Sequence, residues 1–234
     1  FSAIFASDDC ALATRKLFVK TRELFGKKRN IIMDMDGTLA DSMPFWKKSA
    51  REYAILRGAD IPDNFDEITG VMDLNDYAEY VKNVLGIDTN LEQITEAAVE
   101  IMNKHYEKDI PAKDGMTELV TREYEAGSRL VVFTASDRRS VEILLSHLGI
   151  RECFYDIYTV YDVGLKKSDK NSYLKVAELA GMKDTSQVWV YEDILRGVKA
   201  AKEAGLNVCA VYDEDSAGDW KDIKELADKT LELV

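Results

Sequence analysis

Short apolar runs without polar alternation recur along this chain, each beside a stretch with helical periodicity. Strands that are apolar on both faces are typical of a parallel sheet covered by helices on both sides. The helical stretches end at glycines, which accept the backbone conformation that closes a helix. This alternation predicts a doubly wound α/β fold. The runs are NIIMD at 30–34, RLVVFT at 129–134, FYDIYTV at 154–160, QVWVY at 187–191 and NVCAVY at 207–212, and the closing glycines are Gly149, Gly181 and Gly205.

After Ser42 the pattern changes to long amphipathic stretches with no buried strand among them. Such stretches predict an all-helical domain inserted into the α/β core. We therefore expect a core made of residues 1–42 and 113–234 and a helical insertion over residues 43–112. Ser42 is predicted to cap the first inserted helix, with Pro44 in its first turn.

The segment at residues 11–26 carries apolar side chains on one helical stripe, within LATRKLFVKTRELF. We expect a helix that packs on the core. A helix that binds a partner is the alternative.

Charge and cysteine content argue against several classes of protein. The 234 residues, of which 46% are hydrophobic, suffice to bury a sizeable core. A formal net charge of −12 disfavours binding to nucleic acid or to an anionic membrane surface. The three scattered cysteines argue against a disulfide framework or a thiolate metal cluster, and no apolar run is long enough to span a bilayer. We therefore expect a cytoplasmic protein, a monomer or weak homodimer, that binds neither nucleic acid nor membrane.

Two carboxylates, Asp34 and Asp36, follow an apolar run directly in the stretch IIMDMDGTLADS. Side chains two residues apart on an extended strand point the same way, so both acids are expected at the carboxyl end of a strand, where open α/β sheets bind ligands. A divalent cation such as Mg²⁺ would offset their repulsion, and Gly37 would let the backbone turn towards a ligand. The alternative is a structural Asp-Gly turn in which one acid caps a helix.

A second acidic pair, Glu192 and Asp193, follows another buried apolar run in VWVYEDILRG. Two neighbouring strand ends would then bring three or four carboxylates to one point. This convergence of acids favours a metal site over the alternative that Asp193 merely caps the next helix.

A site with this much negative charge needs cations and hydrogen-bond donors before it can accept a phosphate. Thr134 ends the run RLVVFT, and with Ala135 and Ser136 it offers a hydroxyl and backbone N–H groups to phosphate oxygens. The loop GLKKSDK offers the ammonium groups of Lys166 and Lys167.

Taken in order, DMDGTLADS, Thr134, Lys167 and YEDILRGVKAAKEAG resemble the four motifs of the haloacid-dehalogenase-like superfamily of phosphohydrolases. The resemblance covers the chain from Ile31 onward. It implies a Rossmann-like core with a helical cap inserted between the first and second motifs, and Mg²⁺ as the cofactor. It also implies phosphoryl transfer rather than dehalogenation, because Asp36 would protonate an alkoxide leaving group.

The resemblance implies a role for each motif residue. Asp34 would be the nucleophile that forms an aspartyl-phosphate, Asp36 the general acid and base, and Thr134 a ligand of the transferring phosphoryl group. We choose Lys167 as the motif lysine, with Lys166 as the alternative, because the family's aromatic residue is matched by Tyr173. The implied metal ligands are Asp34, Asp36 through its main-chain carbonyl, Asp193 and, directly or in a supporting position, Glu192; the implied phosphate- and substrate-binding residues are Gly37, Thr38, Ala135, Ser136 and Trp46.

The last motif most resembles the branch that contains β-phosphoglucomutase and sugar-phosphate phosphatases. Trp46 stands where the mutase has a hinge histidine, and Asp73 and Asp137 stand at its two cationic phosphate-binding positions. Acids at these two positions would repel a second phosphate, although the positive charge of Arg138 would offset part of this repulsion. We therefore expect a Mg²⁺-dependent phosphatase that acts on a small phosphorylated metabolite, a sugar phosphate or a nucleotide. A phosphomutase is the first alternative, and a non-catalytic phosphate-binding or regulatory module is the second.

Four ring-bearing residues outside these motifs complete the expectations. Phe45 and Trp46 are expected near the cap hinge, where they either line the active site or pack the hinge itself. His105 and His147 lie on helical stretches without partners at ligand spacing, so we expect both to be structural residues.

Overall fold

The computed structural model describes residues 28–69, 72 and 74–232. These residues form two compact units. The first contains the described residues up to Asp41 and from Pro111 onward, and the second spans Ser42–Ile110. The helical insertion predicted over 43–112 differs from the second unit only at its ends. The N-terminal segment at 11–26, Cys10 and Asp73 lie outside the described residues, so the expectations for them stay predictions.

The first unit is built on a parallel sheet. Its strands are β1 (Asn30–Met33), β2 (Arg129–Thr134), β3 (Phe154–Thr159), β4 (Val188–Glu192), β5 (Asn207–Val211) and β6 (Lys229–Leu231). They lie in the order β3-β2-β1-β4-β5-β6, and every neighbouring pair is parallel. The chain runs from β1 outward to β3 and then continues with β4 on the other side of β1. The doubly wound fold is thereby confirmed, and ligands of such sheets bind at the strand ends where the order reverses.

One set of helices covers the sheet of the first unit, and another set makes up the second unit. The second unit contains α1 (Met43–Leu56), α2 (Phe65–Thr69), α3 (Leu74–Asn83) and α4 (Leu91–Lys108), and the first contains α5 (Met116–Glu125), α6 (Arg138–His147), α7 (Val160–Val163), α8 (Lys170–Leu179), α9 (Leu195–Glu203) and α10 (Trp220–Leu226). Three short 3₁₀ helices span Arg151–Cys153, Thr185–Gln187 and Glu214–Asp219.

The predicted strands are all present, and four of the five differ from the prediction by one residue at one or both ends. β1 is one of the two central strands, and Ile31, Ile32 and Met33 are fully buried because helices cover both faces of the sheet. The strand β6 was not predicted. It contributes three residues at the edge of the sheet, too few for a periodic pattern to be read.

The predicted helix ends are confirmed. Gly149, Gly181 and Gly205 each lie just beyond the end of α6, α8 or α9 with a positive φ. No described helix has the length and apolar character that a membrane span requires. The cytoplasmic location stays a prediction. Cys153 and Cys209 are free thiols.

The second unit has its own apolar core, formed by side chains from all four helices and the connections between them. Its described residues include no strand, as predicted. Pro44 lies in the first turn of α1 and Ser42 occupies its N-cap position, both as predicted. The side chain of Ser42 makes no capping hydrogen bond, however. Its backbone has a φ of −99° and a ψ of −18°, whereas an N-cap residue that bonds to the first turn typically has an extended backbone.

Two aromatic residues near the start of α1 pack against α4 within the second unit. The ring centroid of Phe45 lies 5.3 Å from that of His105, and Trp46 meets Tyr106 edge-on at 6.5 Å. These contacts give both rings a packing role within the second unit, and the two expectations for the hinge stay predictions. Contact of Trp46 with a substrate stays a prediction.

Both histidines stay outside the group of possible metal ligands among the described residues, and His105 has acidic neighbours. His105 is buried, with Nδ1 2.8 Å from Oδ2 of Asp109 and Nε2 3.6 Å from Oε2 of Glu52. Asp109 lies one helical turn further along the chain, whereas Glu52 reaches His105 from α1. His147 lies exposed at the end of α6.

Candidate active site

Asp34 follows β1 directly, and the pairing of β1 with β4 fixes its position. Its backbone N–H donates to the carbonyl oxygen of Tyr191 at 3.0 Å, and its side chain is buried. Burial raises the pKa of the Asp34 carboxyl to about 6; the ammonium of Lys167 opposes this rise and the carboxylate of Glu192 adds to it. Asp34 is therefore a buried acid with one cation and a second carboxylate beside it.

The chain turns sharply after Asp34. The N–H groups of Leu39 and Ala40 both donate to the carbonyl oxygen of Met35 at 2.9 Å. Gly37 has a φ of +83°, and a Cβ there would lie 2.5 Å from Oδ2 of Asp193. The glycine is needed both for the backbone conformation and for the close approach to this acid.

Glu192 is the last residue of β4 and Asp193 follows it, both beside Asp34, and all three are buried. Thr38 donates its hydroxyl to Oδ1 of Asp193 at 2.7 Å. This hydroxyl, predicted to bind phosphate, therefore orients a carboxylate. Burial raises the pKa of Asp193 well above its usual range, with contributions from the carboxylates of Glu192 and Asp34. The alternative that Asp193 caps α9 was wrong, because Ile194 occupies the N-cap position.

Gly197 holds a position in the site that the sequence did not indicate. It lies in α9, and a Cβ there would lie 2.6 Å from Oε1 of Glu192. The helix backbone thus packs directly on the Glu192 side chain. The sequence signal was a glycine inside a helix, where glycine is otherwise unfavourable.

Lys167, rather than Lys166, lies among the acids, as predicted. Its Nζ is 2.5 Å from Oδ1 of Asp34 and 2.6 Å from Oε2 of Glu192, whereas Lys166 is exposed. Burial lowers the pKa of Lys167, but the carboxylates of Asp34 and Glu192 outweigh it and raise this pKa well above its usual value. The side chain is therefore a fixed ammonium.

Tyr173 packs beside this ion pair. Its hydroxyl lies 3.4 Å from Oε2 of Glu192, and its ring meets Phe133 edge-on with centroids 5.2 Å apart. The Nζ of Lys167 lies 5.8 Å from the centroid of the Phe133 ring. The aromatic pair excludes water from one side of Lys167 and Glu192, which strengthens their attraction.

The end of β2 brings its hydroxyl residues to the same edge of the sheet. Thr134 is buried, and its Oγ1 accepts the backbone N–H of Ser136 at 3.1 Å. The hydroxyl of Ser136 donates to Oδ2 of Asp36 at 2.6 Å. Asp36 is half-buried, and Ala135 between the two hydroxyl residues is exposed.

The acids at the end of β1 and β4 fit a divalent cation. Asp34, Glu192 and Asp193 each offer a carboxylate oxygen, and these oxygens lie within 4.8 Å of one another. Three ionised carboxylates beside the single ammonium of Lys167 leave two negative charges uncompensated, and oxygen-only ligands are those that Mg²⁺ prefers. The Asp36 side chain is outside this group, and its participation through the main-chain carbonyl stays a prediction.

Two residues that follow β2 are occupied by structural contacts. Asp137 caps α6, accepting the backbone N–H of Ser140 at 3.0 Å. Arg138 bonds to the carbonyl oxygen of Ile157 and lies 3.3 Å from Asp156 and 3.4 Å from Asp162. The Arg138 guanidinium, which was predicted to offset the negative charge of Asp137, is thus bound to other acceptors.

Known proteins resemble this chain over most of its length. Residues 31–211 match the family described as haloacid dehalogenase-like hydrolase. The chain is 29% identical over 195 residues to Protein SUPPRESSOR OF QUENCHING 1, chloroplastic, of Arabidopsis thaliana, which covers 80% of this chain and 18% of that protein. It is 26% identical over 196 residues to fructose-1-phosphate phosphatase YqaB of Escherichia coli (strain K12), which covers 80% of this chain and 98% of that one.

The fold is shared with solved structures. CbbY from Rhodobacter sphaeroides in complex with phosphate has a TM-score of 0.73 and 24% identity, over 87% of this chain and 93% of that one. The chain spans less than a fifth of the Arabidopsis relative but nearly the full length of the Escherichia coli relative. The family match extends through all four motifs of the site, and the chain therefore belongs to the haloacid dehalogenase-like hydrolase family.

Proposed function

We propose that this chain is a Mg²⁺-dependent phosphatase that hydrolyses a small phosphomonoester through an aspartyl-phosphate on Asp34. The observation that carries the proposal is the position of Lys167, whose ammonium touches both Asp34 and Glu192 within a cluster of three buried carboxylates. The likeness to a fructose-1-phosphate phosphatase supports the sugar-phosphate class of substrate. A nucleotide is the alternative substrate class.

In the first step an ionised Asp34 oxygen attacks phosphorus. Its bond to phosphorus forms as the bond between phosphorus and the ester oxygen breaks, and Asp36 gives a proton to the departing oxygen. With a pKa of about 6, Asp34 is largely ionised at neutral pH. Lys167 balances its charge and that of the phosphoryl oxygens.

In the second step a water molecule attacks the aspartyl-phosphate. Asp36, now ionised, takes a proton from this water while the bond between Asp34 and phosphorus breaks. Inorganic phosphate leaves, and both acids return to their starting states. The Thr134 hydroxyl and the backbone N–H of Ala135 hold phosphoryl oxygens through both steps.

The metal would be held by Asp34, Asp193, the main-chain carbonyl of Asp36 and Glu192. When bound, Mg²⁺ would offset the carboxylate repulsion and polarise a phosphoryl oxygen. Gly37 and Thr38 serve this arrangement by letting the turn approach Asp193 and by orienting its carboxylate.

Hydrolysis is favoured over mutase chemistry by the charges beside the phosphate-binding end of β2. A phosphomutase has to hold a second phosphate, which requires cations. Here Asp137 is an acid used as a helix cap, and Arg138 is bound to Asp156, Asp162 and a backbone carbonyl. Both observations support water as the phosphoryl acceptor.

The proposal is tested by inorganic phosphate release from a panel of phosphomonoesters, with and without Mg²⁺. We expect release that requires Mg²⁺ and that Asp34→Asn abolishes, because an amide is a poor nucleophile. Asp60→Asn, an exposed acid in the second unit, is the matched control and should keep full activity. Conversion of one organic phosphate to another without phosphate release would favour the mutase instead. Tight Mg²⁺ binding without turnover of any substrate would favour the non-catalytic alternative.

A further inference from the structure

Ser136 connects the end of β2, where Thr134 lies, with the turn after β1 that contains Asp36. Its hydroxyl donates to Oδ2 of Asp36 at 2.6 Å, and its own backbone N–H donates to Oγ1 of Thr134 at 3.1 Å. The second bond fixes residue 136 relative to β2, because Thr134 is the buried last residue of that strand. The Ser136 hydroxyl is therefore held by the backbone at a defined place beside Asp36.

Asp36 needs such support more than the other acids of the site. Asp34, Glu192 and Asp193 are buried, whereas Asp36 is half-buried in the turn that follows β1. Backbone bonds to Met35 hold the turn itself, but they do not orient the Asp36 side chain. A hydrogen bond from a donor held in place restricts the rotation of a partly exposed carboxylate.

A hydroxyl donor also decides which oxygen of a carboxyl group carries the acid proton. The oxygen that accepts from Ser136, Oδ2, acts as the carbonyl-type oxygen when the group is protonated. The proton is then on Oδ1. A general acid works only when its proton points at the departing oxygen, so this selection bears directly on catalysis.

We propose that Ser136 is a positioning residue that orients Asp36 and directs its proton to the leaving oxygen, an inference that rests on the proposed phosphatase function. The sequence suggested that Ser136 holds phosphate. The Ser136 N–H instead donates to Thr134, and the Ser136 hydroxyl donates to Asp36. Ser136 therefore acts on the substrate through these two residues.

The test compares two substrates that differ in their need for an acid. An alkyl phosphate expels a strongly basic alkoxide and needs the proton, whereas p-nitrophenyl phosphate expels a weakly basic phenolate and needs it little. The quantity is kcat/KM, which reports the steps up to the first irreversible one and so includes departure of the leaving group. For Ser136→Ala we expect kcat/KM for fructose 1-phosphate, or for the alkyl phosphate that the wild type hydrolyses best, to fall on the order of tenfold or more. The fall with p-nitrophenyl phosphate should be less than about threefold.

Two variants separate positioning from a general structural effect. Ser136→Thr keeps the hydroxyl and should restore the ratio of the two kcat/KM values. Ser140→Ala removes another serine-to-aspartate bond of 2.6 Å, that to Asp137, without touching Asp36. This control should leave the ratio unchanged. If Ser136→Ala lowered kcat/KM equally for both substrates, or changed neither value, the inference would be overturned.

Crystal structures of the wild type and of Ser136→Ala provide a readout that does not depend on activity. We expect one Asp36 side-chain conformer in the wild type and more than one in the variant. If the wild type releases no phosphate from any substrate, the proposed function fails, and the crystal structures still decide whether Ser136 orients Asp36. The same single Asp36 conformer in both structures would overturn the inference.

Discussion

The Nζ of Lys167 lies 2.5 Å from Oδ1 of Asp34, although 133 residues separate them in the chain. The same ammonium reaches Glu192 at 2.6 Å. One cation thus serves the acid at the end of β1 and the acid at the end of β4. Because the Lys167 side chain is only 12% exposed, water screens these contacts little.

Replacing Lys167 should impair catalysis far more than replacing its neighbour. We expect Lys167→Ala to lower kcat/KM on the order of 100-fold or more, because a fixed charge next to a reacting phosphoryl group is removed. Lys166→Ala is the matched control, since it deletes the same side chain from an exposed position one residue away, and it should remain within about twofold of wild type. Phosphate release measures both, with circular dichroism to verify folding. Equal losses in the two variants would contradict the assignment of the lysine.

Mg²⁺ should stabilise the protein more at high pH than at low pH. Burial raises the pKa of Asp34 to about 6 and that of Asp193 well above its usual range. A carboxyl whose pKa is raised on folding binds its proton more tightly in the folded state, so the metal-free protein loses stability as the pH rises from about 4 through these raised values. A cation that binds the ionised acids offsets this loss.

The measurement is the thermal midpoint of unfolding with and without Mg²⁺ at pH 5 and pH 8. At pH 8 and about 100 times the dissociation constant of Mg²⁺, we expect a rise of roughly 5 °C or more. At pH 5 the rise should be much smaller, because protons compete for the same oxygens. Ca²⁺ at equal concentration tests selectivity. A Mg²⁺ effect of the same size at both pH values would contradict a site built on Asp34 and Asp193.

The sequence was sufficient to predict the sheet and the acids because both are local patterns. A strand apolar on both faces can only be buried, and an acid at its carboxyl end can only lie at the ligand-binding edge. The choice between Lys166 and Lys167 came from the resemblance to the family, whose aromatic residue after the lysine is matched by Tyr173. These features depend on residue order along one segment.

The remaining features depend on how distant segments pack. The bond from Thr38 to Asp193 joins residues 155 positions apart, and that from Ser136 to Asp36 joins residues 100 positions apart. No periodicity encodes such pairs. Ser42 occupies the predicted N-cap position but makes no capping hydrogen bond, because residue type alone does not determine the backbone conformation that such a bond typically needs. Likewise, the approach of Glu52 to His105 required knowledge of how α1 packs on α4.

Asp193→Asn should raise the stability of the metal-free protein and abolish its activity. The amide keeps an oxygen for the Thr38 hydroxyl but removes one of the three crowded negative charges. We expect a higher midpoint of thermal unfolding at pH 8 without Mg²⁺, a greatly reduced response to Mg²⁺, and loss of phosphate release. A lower midpoint in the metal-free variant would indicate that Asp193 supports the fold rather than the site. A variant that is more stable but inactive is expected where a site holds like charges together.

Gly197→Ala should be harmful at a position where alanine normally stabilises. Inside a helix, replacing glycine by alanine gains about 1 kcal/mol. Here the new Cβ would lie 2.6 Å from Oε1 and Cδ of Glu192, a side chain that Lys167 and Tyr173 hold in place. Because Glu192 cannot yield without leaving Lys167, we expect a loss of stability of roughly 1–3 kcal/mol and a fall in kcat/KM.

Gly218→Ala is the control for Gly197→Ala. Gly218 lies in the 3₁₀ helix Glu214–Asp219, and a Cβ there would meet nothing within 4 Å. This variant should be neutral or slightly stabilising, because alanine reduces the freedom of the unfolded chain. Urea unfolding and phosphate release, measured on both variants, separate the two effects. If Gly197→Ala matched its control in both measurements, Glu192 would have room to move, and the close packing of α9 on Glu192 would not be what keeps Lys167 beside Asp34.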